Sequence, residues 1–384
     1  MNQDYLYIDN DQALAQFCAR LGESTYCAID TEFIREKTYY PELALIQIGS
    51  GELFACIDPL VITDFSPLIE LLAKPDLLKL FHSCSQDLEI LYQKFNAVPT
   101  PVFDTQVAAA VLGYNHQISY ADLVQQICGV SLDKKHTRAN WMRRPLSQDE
   151  LDYAMDDVRY LLKVYEHLHE QLQVSRRSGW VEKDMRALAD PAKYEVDMSS
   201  LWKRLKGVQK LKGEKLQIAS DLCGWREQLA QRQNRPRRWI AKDDTLIEIA
   251  RQKPATIADL STIPELSEKT VQRHGADLLQ IVARAAQTDP AQWPRLEQGD
   301  SLDKQQQALG ECLMSLCRVI ADENNIALAT LALRKDIDNL ILNRKSSRLT
   351  QGWRFTMAGE KLLDFIHGQS VISVVDDKLQ LEPR

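Results

Sequence analysis

Between Tyr26 and about Asp58 the apolar residues fall into three short runs, CAIDTEF, LALIQIG and LFACIDP, with Gly49, Ser50 and Gly51 separating the last two. Runs of this length bounded by turn residues predict strands, and their short links predict an antiparallel meander. An apolar helical run follows at SPLIELLA, then a strand in LLKLFHS, a helix in SQDLEILYQKF and a short strand in PVFDT. From there helical periodicity continues to about Gln173. One long helix is fixed in register, because Ser147 and Glu150 form an S-x-x-E capping box ahead of Leu151, Met155, Val158, Leu162, Tyr165 and Leu168. Ser83 and Gln86 match the related S-x-x-Q pattern at the start of SQDLEILYQKF. The sum is an α/β domain with helices covering a mixed sheet.

The pattern changes at ADPAKYEVDMSS, a polar connector followed by the basic run WKRLKGVQKLKGEK. Beyond it the chain reads as all helix, with a degenerate repeat broken by DPAQWPRLEQGDSLD. Leu246, Ile249 and Ala250 match Ile337, Leu340 and Ile341, and GADLLQIV matches GEKLLDFI. The expected organisation is an α/β domain over 1–195, a basic connector over 196–213, and helical domains over 214–292 and 301–375.

A length of 384 residues suits two or three domains, and 45% hydrophobic with 26% charged residues is globular composition. The net charge of −7 argues against indiscriminate polyanion binding but leaves room for local basic patches. Eight cysteines without a CxxC pair or zinc-ligand spacing are expected to be reduced and mostly buried. No basic leader and no apolar run of membrane-spanning length is present, so a cytosolic protein is expected; without a heptad repeat, so is a monomer.

The candidate chemistry is acidic. Asp30 and Glu32 lie two apart in a strand, which puts both carboxylates on one face. Asp87 sits at a helix start, where an acid also complements the helix dipole. Tyr153 and Asp157 are four apart in the long helix and share a face. Taken singly, each has an ordinary structural explanation; their order along the chain carries the information.

In that order, and in the segments DTEF, FHSCSQDLEIL, FDTQ, LDKKHTRANWMRRPL and YAMDDVRYLL, the sequence resembles the DEDD exonuclease superfamily in its tyrosine branch. Within that branch it is similar to the bacterial ribonuclease D family, and WREQLAQRQNRPRRWIAKDDTLIEIA looks like the first of two HRDC domains. The resemblance implies a ribonuclease-H-like exonuclease domain with a mixed sheet, then two small all-α HRDC-like domains. It implies a 3′-to-5′ exoribonuclease that releases nucleoside 5′-monophosphates and matures the 3′ ends of transfer RNA precursors and other small structured RNAs. It also implies two divalent ions, Mg²⁺ or Mn²⁺, as cofactors. Phosphodiester hydrolysis needs an activated water, charge stabilisation in the transition state and a stabilised leaving oxygen, and a carboxylate-only site suits hard cations. By the family's pattern Asp30 bridges the ions, Glu32 and Asp157 hold the one that activates water, Asp87 supports the second directly or through water, and Tyr153 orients the attacking water.

RNA contacts are expected from the loop LDKKHTRANWMRRPL, with Arg138, Arg143 and Arg144 near phosphates and Trp141 available for stacking. A second basic cluster, Arg232, Arg235, Arg237 and Arg238 beside Trp239, is a candidate nucleic-acid surface in the first helical repeat. Two other readings use the same residues: a 3′-5′ DNA exonuclease in repair, or a catalytically idle RNA-binding adaptor.

Overall fold

The computed structural model describes residues 4–133, 139–296 and 301–384. It divides into two compact units. One comprises Met1–Glu32, Leu43–Lys193 and Asp300–Arg384, the other Phe33–Glu42 and Tyr194–Gly299.

In the first unit the chain runs β1 (Leu6–Ile8), α1 (Asp11–Leu21), β2 (Tyr26–Ile34), β3 (Glu42–Ser50), β4 (Leu53–Ile57) and α2 (Ser66–Ala73). It continues through β5 (Leu78–Phe81), α3 (Ser85–Phe95), β6 (Val102–Asp104), α4 (Thr105–Val111), α5 (Tyr120–Cys128), α6 (Gln148–Val174) and α7 (Ser178–Leu188). The sheet order is β1-β4-β3-β2-β5-β6. β3 and β4 pair antiparallel, while β1 is parallel to β4, β5 to β2 and β6 to β5, so the sheet is mixed as expected. Gly51 turns between β3 and β4 at φ +56, a conformation that favours glycine. At the pair Gly49↔Phe54 a Cβ on Gly49 would lie 2.1 Å from the Phe54 ring. Neither β1 nor α1 was among the expected elements.

The capping box at Ser147 and Glu150 forms as expected and starts a 27-residue α6, whose apolar face packs into the main core. The expected cap at Ser83 does not form. Ser83 instead takes φ +59, and α3 begins two residues later without a side-chain cap. The Asp104 carboxylate holds this bend by accepting from the Ser83 and Cys84 N–H groups at 3.0 and 2.9 Å, and it also caps α4.

The second unit contains α8 (Glu214–Gln233), α9 (Arg237–Ile240), α10 (Asp243–Gln252), α11 (Ile257–Ser261) and α12 (Glu268–Gln287) around their own core. The C-terminal region, part of the first unit, has α13 (Lys304–Glu323), α14 (Leu328–Leu331), α15 (Arg334–Ile341), α16 (Gly352–Arg354) and α17 (Glu360–Ile366). Both regions open with a 20-residue helix, a four-residue helix and a helix of ten or eight residues. The C-terminal region joins the α/β part through the stacked Trp180 and Trp353 rings, 4.4 Å apart, and through Arg177, which donates to the Val111 and Asn324 carbonyls. The expectation of helix throughout this region is corrected at its end. β7 (Ser370–Val375) and β8 (Lys378–Pro383) form a hairpin, because a β-branched run leads into Asp376 and Asp377, both at positive φ in a two-residue turn, and Leu379 and Leu381 alternate in the strand that follows. All eight cysteines are free, with Cys312 exposed and Cys128 half-buried. Among the described residues no helix is long and apolar enough to cross a membrane.

Candidate active site

The alternation of β2 brings Asp30 and Glu32 out on one face, and α6 crosses beside them with Asp157. One carboxylate oxygen from each of the three lies within 4.8 Å of the others, with all three side chains partly buried. Asp87, in the first turn of α3, is close to fully buried and lies outside that tight group; its Oδ1 accepts from the Thr31 hydroxyl at 2.6 Å. Thr31 is itself buried between the two acids of β2, so one strand segment both presents two carboxylates and orients a third.

Packing like charges into a partly buried cleft favours their neutral forms. Burial, then the charges of Asp157 and Asp87, push Glu32 up to about 8. Burial, then Asp156 and Asp87, push Asp157 up to about 7. Asp87 rises to about 6 through burial, against which the Thr31 hydrogen bond acts. Asp30 is raised well above the ordinary value by burial first and then by Asp157, Asp87 and Glu32. A set of hard oxygen donors destabilised by its own charge fits divalent cations of the Mg²⁺ or Mn²⁺ type.

A pH dependence follows. The folded-state values of these acids lie above the unfolded value of about 4. The stabilisation from protonated carboxylates is therefore complete below about pH 4 and is lost as pH rises through the folded values of 6 to 8. Metal-free protein should melt at falling temperatures across that window. Added Mn²⁺ should restore stability, by about 2.7 kcal/mol at a hundredfold excess over its dissociation constant. Scanning calorimetry at pH 6 and pH 8 checks this; a metal-induced rise that is smaller at pH 8 would contradict it.

Tyr153 lies one helical turn before Asp157, and its ring packs 6.2 Å from that of Trp141. Trp141 is 3% exposed, a core residue, so the expectation that it stacks on RNA is corrected: its ring supports Tyr153. Arg144 is likewise taken up inside the fold. Its guanidinium grips Asp58 through Nε at 2.5 Å and Nη2 at 2.8 Å and donates to the carbonyls of Ala44, Trp141 and Arg143. Arg143 bonds both oxygens of the buried Glu150 while staying more than half exposed. Arg138 lies outside the described residues. In the second unit Arg237, itself exposed, is clamped onto the buried Glu227 and over the Tyr39 ring, while Arg235, Arg238 and Trp239 are exposed and, among the described residues, tied to no buried acid. Thr31 and Asp104 were not singled out by sequence reasoning. Thr31 carried no signal of its own, while an Asp ending an apolar strand, as Asp104 does, is a recognisable cap.

Residues 5–173 match the 3′-5′ exonuclease family and residues 215–282 match the HRDC domain family. Fold and carboxylates together thus define a 3′-5′ exonuclease carrying an HRDC domain. A ribonuclease D from Granulibacter bethesdensis is 37% identical over 97% of this chain and 95% of its own length. The crystal structure of Escherichia coli RNase D, described as an exoribonuclease involved in structured RNA processing, matches with a TM-score of 0.85 at 30% identity, covering 96% of this chain and 99% of that one. The catalytic core of RRP6 from Trypanosoma brucei matches with a TM-score of 0.56 at 25% identity, over 73% of this chain and 79% of that one. The chain belongs to the ribonuclease D family, and it is a 3′-5′ exoribonuclease.

Proposed function

We propose that the chain shortens RNA from its 3′ end by two-metal hydrolysis, releases nucleoside 5′-monophosphates, and acts in the cytoplasm as a monomer on transfer RNA precursors and other small structured RNAs. The observation that carries the reading is the cluster of Asp30, Glu32 and Asp157, three acids within 4.8 Å that need positive charge to ionise together at neutral pH. These three would hold the ions, with Asp87 supporting them. Ions bound there would polarise the phosphate and lower the pKa of a bound water.

The chain's own groups do the rest. Tyr153, steadied by Trp141, orients the attacking water by a hydrogen bond. Thr31 holds Asp87 in one orientation, so its carboxylate meets the site without a rotamer search. Arg143 and the exposed set Arg235, Arg238 and Trp239 provide phosphate contacts and a stacking ring. The structured RNA processed by the Escherichia coli relative supports the substrate class. The matching order of helices in 214–292 and 301–375 supports two helical domains of one design, the second HRDC-like as well.

Two measurements test the reading. RNA and DNA of one sequence, compared by rate, and chromatography of the products should show a preference for RNA and release of 5′-monophosphates; equal rates on both would sink the RNA assignment. Charge reversal of Arg235 and Arg238 should weaken RNA binding and flatten the dependence of log affinity on log salt by roughly 0.7 per lost phosphate contact. Arg237 is a poor choice for this test, because reversing it would strand Glu227 in the interior. An unchanged slope would remove the cluster from the binding surface.

A further inference from the structure

Between the chain entering α3 and the third turn of α6 stands Tyr120, the first residue of α5, whose N-cap Ser119 accepts from the Asp122 N–H. Its phenol donates to the backbone carbonyl of Asp156 at 3.1 Å. That carbonyl belongs to the peptide immediately before Asp157. In an α-helix it already accepts from the N–H four residues on, and the hydroxyl takes its second lone pair. A helix held at one carbonyl by a donor from another element cannot rotate about its axis or slide past that element without losing the bond.

The other side of Tyr120 is fixed just as firmly. Its ring lies 5.5 Å from that of His82, the residue that leads into the Ser83–Cys84 bend and α3. The His82 imidazole is pinned at both nitrogens, by the Thr105 hydroxyl at 2.9 Å and the Ile118 carbonyl at 3.1 Å. A continuous set of contacts therefore runs from the segment that delivers Asp87, through His82 and Tyr120, to the turn that delivers Asp157. Burial, then the charges of Asp157 and Asp30, raise the Tyr120 phenol well above its ordinary value, which keeps it a protonated donor at any working pH.

We propose that Tyr120 is a positioning residue for the carboxylate site: its hydroxyl sets the rotation and height of α6 so that Asp157 meets Asp30 and Glu32 at ion-holding distance, and its ring keeps that turn in register with the approach to α3. The inference rests on the reading that Asp157 holds a divalent ion. Partners that orient metal ligands from outside the ligand set are worth about 10- to 100-fold in metal affinity or activity. Because Tyr120 acts through a peptide group, the lower end applies.

The full-length protein, Tyr120→Phe and Tyr120→Ala should be compared by calorimetric titration with Mn²⁺, by melting temperature, and by kcat at saturating Mn²⁺. Tyr120→Phe keeps the ring. It is expected to melt close to wild type while binding Mn²⁺ about tenfold more weakly and turning over more slowly even when saturated. Tyr120→Ala should be worse in all three. If Tyr120→Phe binds Mn²⁺ as tightly as wild type, or if the two variants lose melting temperature without any change in Mn²⁺ binding, the side chain only packs and the inference falls. Wild-type protein that binds no Mn²⁺ would overturn the metal reading, and this inference with it.

Discussion

Asp30→Asn is expected to lower kcat on RNA by at least about a thousandfold, while the metal-free variant melts at a higher temperature than wild type at pH 8. The first effect follows from removing the carboxylate at the centre of the cluster, where several kcal/mol of transition-state stabilisation are at stake. The second follows from the charges that raise Asp30. With one of the mutually repelling groups made neutral, Glu32, Asp87 and Asp157 ionise more easily in the folded state. Opposite signs for activity and stability mark a group held in place for function at the expense of stability. Single-turnover kinetics and scanning calorimetry on the same preparation check both. A variant that is slow because it is unfolded would make Asp30 a structural residue instead.

Arg144→Ala is expected to cost about 3 to 5 kcal/mol of stability, the range for breaking a buried ion pair by deleting one partner. Asp58 is 2% exposed and, among the described residues, would keep only the Tyr7 hydroxyl, at 2.6 Å, and the Leu60 N–H as partners of its carboxylate. In the intact protein the carboxylate lies below its ordinary value, because burial, which raises it, is outweighed by the hydrogen bonds from Arg144, Tyr7 and Leu60. Its stabilisation is therefore present above the unfolded value of about 4 and is lost as pH falls through the lower folded value. Urea denaturation should show the deficit of Arg144→Ala narrowing from pH 7 to pH 4, as the stranded Asp58 takes up a proton. Arg144 also holds the carbonyl of Trp141, whose ring backs Tyr153, so turnover should fall even at temperatures where the variant stays folded. A variant as stable as wild type would mean that Arg144 is a surface residue after all.

The acids were legible through their order along the chain, which carries the resemblance, and local geometry adds that two of the three clusters share a face. Strand alternation puts Asp30 and Glu32 on one face, and one helical turn puts Tyr153 and Asp157 on another. The capping box at Ser147 fixed the register of the second pair. What could not be read depends on pairings distant in sequence. The roles of Trp141 and Arg144 are set by Tyr153 and Asp58, and the latter pair is 86 residues apart; a basic, aromatic loop looks the same whether it faces RNA or a buried carboxylate. Arg237 and Glu227 are only ten residues apart, yet local composition suggested an open basic cluster and the fold ties one member of it to a buried carboxylate. The hairpin Ser370–Val375 with Lys378–Pro383 is different. Its β-branched run and two-residue turn were visible, but helical periodicity carried over from the preceding repeat hid them.

We propose that Asp30, Glu32, Asp87 and Asp157 together make this chain a metal-dependent exoribonuclease that works from the 3′ end. A time course on a 5′-labelled RNA with a short single-stranded 3′ end, run with Mg²⁺ or Mn²⁺ and with chelator, on wild type and Asp30→Asn, tests it most directly. Wild type with metal should give a ladder of products shortening stepwise, with no shortening in chelator or with Asp30→Asn. Shortening that persists in chelator or in the variant, or RNA binding without any shortening by wild type, would contradict it.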